Sequence, residues 1–454
     1  MAKSGSKDSL TVNKFEITSN TTGITFDIAK GDPDNDVPGK TPIIAYRESV
    51  FVPFVEIQTV LVDEGTAIPE DGGFTNVMTG LKIEGAEKVA FQITDGMGNT
   101  INLTGANDLR LNKPGQTFHS RKSMMTSLTI ISKEALDNTL LENEVTQKLE
   151  GKISEVVRRI LRNDLKSDKS LLTDETQNKI ENAFGCATNP FDMIKMLQIY
   201  SIPEAASSSS GGSSSGGDNK CAGYLFWQTS NGIHFKSLNK IFEGSPTHKF
   251  ILNNKVDEII PDEYDDKILE AQIDSSVDVL NNLKSGAYKT EMHIFDERTQ
   301  EYTTDAGFET PESGNGRIAG TNIPLSGSEY FDKATVRLFS EVPYGAFALG
   351  DSPEQQKEKS STPAFSPEQI AQQSMQAFRQ KFTVSGEIVV PCNLALHAGT
   401  LIQCDLPGFD QKRTSRKNTR SSGIYMISDL CHYTTASQAY TKLRIVRDSF
   451  GVRV

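Results

Sequence analysis

Cysteine, histidine and tryptophan are scarce in these 454 residues, at five, six and one. Cys186, Cys221, Cys392, Cys404 and Cys431 lie far apart with no CxxC pair. The odd count and wide gaps point to free buried thiols in a chain made in a reducing compartment, and away from a disulfide framework. The histidines are too scattered for HExxH or another zinc pattern. No run of about 18 apolar residues occurs, which excludes a membrane-spanning helix. The opening MAKSGSKDSL lacks the apolar core of a signal peptide. Positive charge is in deficit: 47 Lys and Arg against 59 Asp and Glu leave a net charge of −12, which argues against a nucleic-acid binder. What is present is ordinary for a soluble chain, 36% hydrophobic and 23% charged, and the length suggests two to four domains.

The most informative stretch is Tyr224–Leu238, YLFWQTSNGIHFKSL. Two apolar runs flank Asn231-Gly232, a pair suited to a type I′ turn, and Ile233 and Phe235 alternate with His234 and Lys236 as in a half-buried strand. A β-hairpin is predicted here. A hairpin alone cannot bury its apolar face. Its neighbours are helical sequence and the eleven-residue Ser/Gly run Ser207–Gly217, which is expected to be flexible and dispensable. The expected sheet partner is therefore the C-terminal stretch from Phe382 onward.

Residues 1–9 read as a disordered tail. Leu10–Ile131 is strand-rich: Ser49–Asp63 is a long β-branched and aromatic run with Pro53 at an edge or bulge, and Lys82–Thr94, which contains KVAFQIT, precedes turn signals at Asp95-Gly96 and Gly98-Asn99. Ala29–Thr41 reads as a surface loop. Val145, Leu149, Ile153, Val156, Val157, Ile160, Leu161 and Leu165 recur at helical spacing, as one helix or two broken at Gly151. Asn189-Pro190 opens a second helix. Strands are expected at Ile251–Ile260 and within Ala287–Tyr302, with a short helix Ser275–Lys284 ending at Gly286 and an exposed loop at 304–328. Ser366-Pro367-Glu368-Gln369 is a capping box opening a helix to about Lys381. Four strands close the chain: Thr383–Val390, Thr400–Leu406, Gly423–Leu430 and Tyr440–Arg447.

No motif specifies chemistry. Gly39-Lys40-Thr41 fails as a phosphate loop, because Asp34 stands where a glycine is needed and Pro42 follows. Asp32, Asp34 and Asp36 open like a calcium loop, but Val37 and Ile43 occupy the glycine and glutamate positions, leaving a solvated acidic loop or at most a weak cation site. Cys431 and His432 would point to opposite faces of a strand, with Cys431 inward and His432 outward, and so could not form a nucleophile pair. Tyr224, Phe226 and Trp227 read as core, with sugar stacking as the alternative. The basic loop Lys412, Arg413, Arg416, Lys417 and Arg420 is a solvated loop or a contact for an acidic partner or nucleic acid. No catalytic, cofactor-binding or metal residue is assigned.

The hairpin resembles that of central hub proteins of the contractile-tailed (myovirus-type) phage baseplate, through Phe226, Trp227, Gly232, Phe235, Ser237 and Leu238. The helix Ile153–Leu165, Gly286-Ala287-Tyr288 with Phe295-Asp296, Ser422–Ile427 with His432, and Arg447-Asp448-Ser449 are similar to the same family and come in the same order. The resemblance implies a mainly β chain with an α+β outer part: two small tube-like β-barrel domains and a helix-containing peripheral domain. The expected division is 10–132 for the first barrel, and 220–244 with 383–454 for the second. The peripheral domain takes 133–206 and 245–382, and 207–219 is a flexible connection. The implied function is structural and non-enzymatic. A homotrimeric ring, assembled in the host cytoplasm and carried in the virion, would adapt the sixfold tail tube to a threefold spike. Its partners would be tail-tube, spike and wedge proteins, without cofactor, stable nucleic-acid binding or membrane insertion. A carbohydrate-binding tail protein or adhesin is the alternative, and a glycan hydrolase a further one.

Overall fold

A computed structural model describes residues 10–32, 37–70, 73–105, 109–204, 222–252, 266–274, 277–305, 319–342, 350–360, 367–408, 418–435 and 438–452. The chain is mainly β. Its first region contributes β1 (Leu10–Thr18), β2 (Thr25–Asp27), β3 (Ile43–Ser49), β4 (Glu56–Asp63), β5 (Lys88–Asp95), β6 (Thr100–Leu103), β7 (Leu109–His119) and β8 (Met124–Ser132). Alternation sets their faces: in β5, Val89, Phe91 and Ile93 are buried while the residues between them are more exposed. Pro53 is not in a strand. It sits in the turn between β3 and β4, where its missing N–H breaks no ladder.

In the next region β9 (Lys148–Lys152) precedes α1 (Ile153–Arg159), which runs on through a π turn to Asp164. The helix does not begin at Val145, because Gly151 takes φ 109° and ends any helical run there. Val145, from a bridge to Thr188, and Leu149, from β9, reach the same core as α1, which is why their spacing reads as helical. β10 (Leu171–Thr173), β11 (Lys179–Phe184) and α2 (Pro190–Tyr200) follow, with Pro190 in the first helical turn as expected.

The hairpin forms as β12 (Tyr224–Thr229) and β13 (Gly232–Ser237). Thr229 pairs with Gly232, so the turn residues are Ser230 and Asn231, one position earlier than the sequence suggests, and neither has positive φ. Gly232 serves differently: its φ is 141° and a Cβ there would strike the Ser170 carbonyl. The hairpin's third strand is β10, parallel to β13 with Leu171 opposite Ile233, and not a C-terminal strand. Three residues of strand between polar segments are too short to stand out by periodicity. Both hairpin faces are covered. Tyr224, Phe226, Ile233 and Phe235 pack with α1 and α2, while Leu225 and Trp227 pack with Ala398, Leu401, Met426 and Val446.

Beyond the hairpin come β14 (His248–Ile251), β15 (Glu270–Asp274) and α3 (Val279–Ser285), which ends at Gly286 with φ 71°. β16 (Thr290–Asp296), β17 (Glu301–Asp305) and β18 (Val336–Glu341) form a small sheet of their own, and α4 (Pro367–Lys381) leads to the C-terminal strands. These are β19 (Val384–Pro391), β20 (Leu401–Asp405), β21 (Gly423–Thr435) and β22 (Ala439–Arg447). The tail 1–9, the Ser/Gly run, Ser366 of the capping box, and residues 253–260 and 306–318 of the expected strand and loop lie outside the described residues.

The two β-regions are one sheet. Fourteen strands pair in the order β15-β19-β22-β21-β3-β4-β8-β7-β5-β1-β2, with β6 on β5, β20 on β21 and β14 on β20. Among the described residues this path does not close into two separate barrels. A single apolar cluster runs from Phe15 and Phe91 of the first region to Ile388, Ile427 and Leu443 of the last.

Candidate functional site

The feature that organises the molecule is the seam where the N-terminal and C-terminal strands pair. β21 has thirteen residues, and one of its edges is divided. Gly423–Met426 pair with β20 of their own region, whereas Asp429–Thr435 pair with Ser49–Ile43 of β3. Between the two stretches the ladder to β22 skips Ser428, a β-bulge that re-aims the strand. The bulge is held: the Ser428 hydroxyl donates to the Arg444 carbonyl (3.2 Å) and to Asp429 (2.8 Å), and its own carbonyl accepts from Val50 N–H (2.9 Å). Across the seam the Ser49 hydroxyl donates to Asp429 Oδ1 at 2.6 Å.

Beneath the seam a buried carboxylate, Glu48, gathers three parts of the chain. It accepts from Tyr46 Oη (2.7 Å) on its own strand, from Ser230 N–H (3.0 Å) at the hairpin turn, and from Ala398 N–H (3.0 Å) before β20. His397 Nδ1 lies 3.2 Å away, forming an ion pair with it. Burial raises the Glu48 pKa, but the His397, Tyr46 and Ser230 contacts outweigh it and hold the carboxyl below the usual range. For His397 burial acts downward, and the bond and charge of Glu48 reverse it, so the imidazolium is favoured. Tyr46 is pushed far up by burial and by Glu48. The chain's one tryptophan completes the joint: Trp227 Nε1 donates to the Ala398 carbonyl (3.1 Å), and its ring stacks on His234 at 4.7 Å. Burial lowers His234 to about 3 and His432, which stacks on Tyr46, to about 4, so both are neutral near pH 7.

Two further buried ion pairs tie the outer part to this frame. Lys169 Nζ lies 2.6 Å from Glu134, which also accepts from the Ser167 hydroxyl. The Gln228 amide of the hairpin fits between them and the first β-region when its oxygen faces Lys169 (2.5 Å) and its nitrogen faces Ser132 Oγ (2.8 Å). At the C-terminal end Lys381 of α4 pairs with Asp448 at 2.5 Å, and Asp448 and Ser449 accept from the backbone N–H groups of Ala319 and Gly320. Arg447 is fully buried, stacks on Tyr425 and donates to the carbonyls of Ser422, Gly451 and Arg420. Such pairs fix geometry more than they add stability, because desolvation cancels much of their attraction.

Few of the residues singled out in the sequence converge. Cys431 and His432 do point to opposite faces, but the assignment reverses: His432 is buried, with Nδ1 2.8 Å from the Thr441 hydroxyl, and Cys431 is half-buried on the outer face. The inward phase of β21 is set by Leu430 and His432 packing behind β3, and an imidazole with a hydroxyl partner tolerates that burial. Of the cysteines expected to be buried, Cys392 and Cys404 are, while Cys186 is exposed at a turn. Tyr224, Phe226 and Trp227 are core. Lys40 is buried and reaches Thr66. Asp34, Asp36, Lys412, Arg413, Arg416 and Lys417 lie outside the described residues. Among the described residues, no cluster of three His, Cys, Asp or Glu suits a metal. Glu48 escaped notice, although IIAYRES places it in the inward phase with Ile44 and Tyr46.

No family model and no curated protein matches the chain. Solved structures do. The chain is similar to a tail protein from Neisseria meningitidis MC58, at 8% identity over 96% of each chain with a TM-score of 0.47. It is similar to the 43 kDa tail protein of prophage MuSo2 from Shewanella oneidensis, at 10% identity, covering 95% of this chain and 98% of that one, with a TM-score of 0.47. A prophage tail protein from Listeria monocytogenes EGD-e is 10% identical over 96% and 95%, with a TM-score of 0.44. All three are tail proteins.

Proposed function

We propose that this chain is a structural component of a contractile phage tail, a baseplate hub that forms a trimeric ring between the sixfold tube and a threefold spike. The observation that carries the reading is the seam. The pairing of β3 with β21 sets eight strands abreast, β15-β19-β22-β21 from the later chain and β3-β4-β8-β7 from the first region. Three such bands present six four-stranded units, which is how a threefold particle can match a sixfold one. The structural likenesses, with TM-scores below 0.5, are not what supports it. The sequence resemblance supports it through two of its quoted stretches. The hairpin residues Phe226, Trp227 and Phe235 are buried in the joint between regions, and Arg447-Asp448-Ser449 form the buried anchor of the outer part.

In this reading residues 10–132 are the first tube-like unit and 383–454 the main part of the second, with the hairpin between the second unit and the helical outer part. The work done is positional, and the groups at the seam hold geometry without turning over a substrate. The carbohydrate-binding alternative needs an exposed aromatic surface on the hairpin, and Tyr224, Phe226 and Trp227 have none to offer. Electron microscopy of the purified protein mixed with its tail-tube protein tests the proposal. End-on views should show a threefold ring seated on the tube, and a protein that neither forms rings nor associates with the tube would overturn it.

A further inference from the structure

Among the described residues β16, β17 and β18 pair with one another and not with the main sheet. The apolar cluster beside them, Ala287, Tyr288, Ile323 and Phe331 with Leu283 of α3, is separate from those of the frame and the hairpin. Two sets of hydrogen bonds tie this lobe to the rest of the chain. In the first, residues 319–322 are threaded onto the chain just beyond β22. Ala319 N–H donates to Asp448 Oδ1 (2.8 Å) and Gly320 N–H to the Ser449 hydroxyl (2.6 Å). Thr321 and Asn322 N–H donate to the Phe450 carbonyl (2.8 and 3.0 Å), and Phe450 N–H donates back to the Asn322 carbonyl (2.8 Å). The two segments approach so closely that a Cβ on Gly320 would lie 2.3 Å from the Phe450 carbonyl oxygen. In the second set, Gln376 and Arg379 of α4 donate to the carbonyls of Tyr288 and Ser285.

One buried side chain serves both attachments. Asp448 holds Ala319 of the lobe through Oδ1, and its Oδ2 lies 2.5 Å from Lys381 Nζ at the end of α4. Arg447 beside it fixes this clasp to the frame by donating to the carbonyls of Ser422, Arg420 and Gly451. The seat of α4 is poorly satisfied by comparison. Ser374 Oγ, Gln376 Oε1 and Gln380 Nε2 are buried there without a hydrogen-bond partner, and so are Ser237 Oγ and Asn239 Nδ2 where the hairpin ends. Ser374 lies against that end of the hairpin: a Cβ on Gly223, whose carbonyl accepts from Leu238 N–H, would be 3.4 Å from its Oγ. Each such atom gives up hydrogen bonds to water on burial and regains none, which opposes the apolar contact that Ala377 and Phe378 make. The well-satisfied hold on α4 is therefore at its end, in the clasp.

We infer that Asp448 is a latch: the clasp holds the lobe and α4 on the frame, and when it opens they lift away together while the main sheet stays paired. The inference does not depend on the ring reading. Hydrogen–deuterium exchange of the full-length protein tests it with two variants, Asp448→Ala and Gly320→Val. The second leaves every charged group in place and acts through the close approach to Phe450. In both, the amides of residues 319–323 and 370–381 should exchange at least about tenfold faster than in wild type. β16 inside the lobe, and β3 and β21 at the seam, should keep wild-type protection. If both variants leave 319–323 and 370–381 as protected as in wild type, there is no latch. If β16 or the seam loses protection along with them, the clasp belongs to one cooperative core and the inference is equally overturned.

Discussion

Replacing Glu48 with alanine should loosen the joint between the β-regions more than any other single truncation of a polar group at the seam. The carboxylate accepts from Tyr46, Ser230 and Ala398 and pairs with His397, all at 2.7–3.2 Å in a fully buried site. Removing one partner of a buried ion pair costs about 3–5 kcal/mol, and each orphaned buried donor about 1–3 kcal/mol. These terms overlap, because Tyr46 and His397 can turn toward other partners, so a total of about 3–5 kcal/mol is expected. The assay is urea unfolding at pH 7 followed by the fluorescence of Trp227, which is hydrogen-bonded to Ala398 in the same joint. Glu56→Ala is the control: its contact with Arg47 is 3.9 Å long and partly exposed, and should be worth about 0–1 kcal/mol. If Glu48→Ala costs under about 1 kcal/mol, or no more than the control, the carboxylate is not the keystone described here.

Stability should peak near neutral pH. His234 and His432 have lowered values, so their contribution is lost as pH falls from 6.5 toward about 3 and 4. His397 has a raised value, so its contribution is complete below 6.5 and is lost as pH climbs through that raised value. Melting temperature against pH checks both limbs; His397→Gln should flatten the alkaline one and also alter the acid one, because Glu48 loses the contact that most lowers its pKa. Gly399→Ala should destabilise by about 2–4 kcal/mol and shift Trp227 emission, since φ is +84° and a Cβ would lie 2.3 Å from the indole Cζ2. Unchanged emission and midpoint would contradict the packing. Deleting Ser428 should remove the bulge and slip β21 by one residue against β3 or β22, turning Leu430 and His432 outward. The deleted protein should fail to fold cooperatively by circular dichroism melting, and a normal melt would show that the bulge does not set the register.

Local structure was legible where one segment carries its own signal. The hairpin, the helix opening at Pro190, the glycine that ends α3 and the four C-terminal strands all follow from alternation, caps and turn residues. What pairs with what was not legible. β10 is three residues long, and its parallel contact with β13 depends on chain sixty residues away. The seam joins β3 to β21 across nearly four hundred residues, and nothing in IIAYRES names its partner. His432 was placed on the wrong face for a related reason: polarity alone sends an imidazole outward, until Tyr46 and Thr441 from other strands give it a stack and a hydrogen bond. Glu48 shows the converse, since a carboxylate in the inward phase of a strand is the mark of a buried network whose other members cannot be named in advance.

In the ring proposed above, the continuous sheet is closed by copies of itself. Multi-angle light scattering of the full-length protein across a hundredfold range of concentration tests it most directly. A trimeric ring should give a concentration-dependent rise to a particle of about 149 kDa, three times the 49.8 kDa chain. A single species at 49.8 kDa throughout would contradict it.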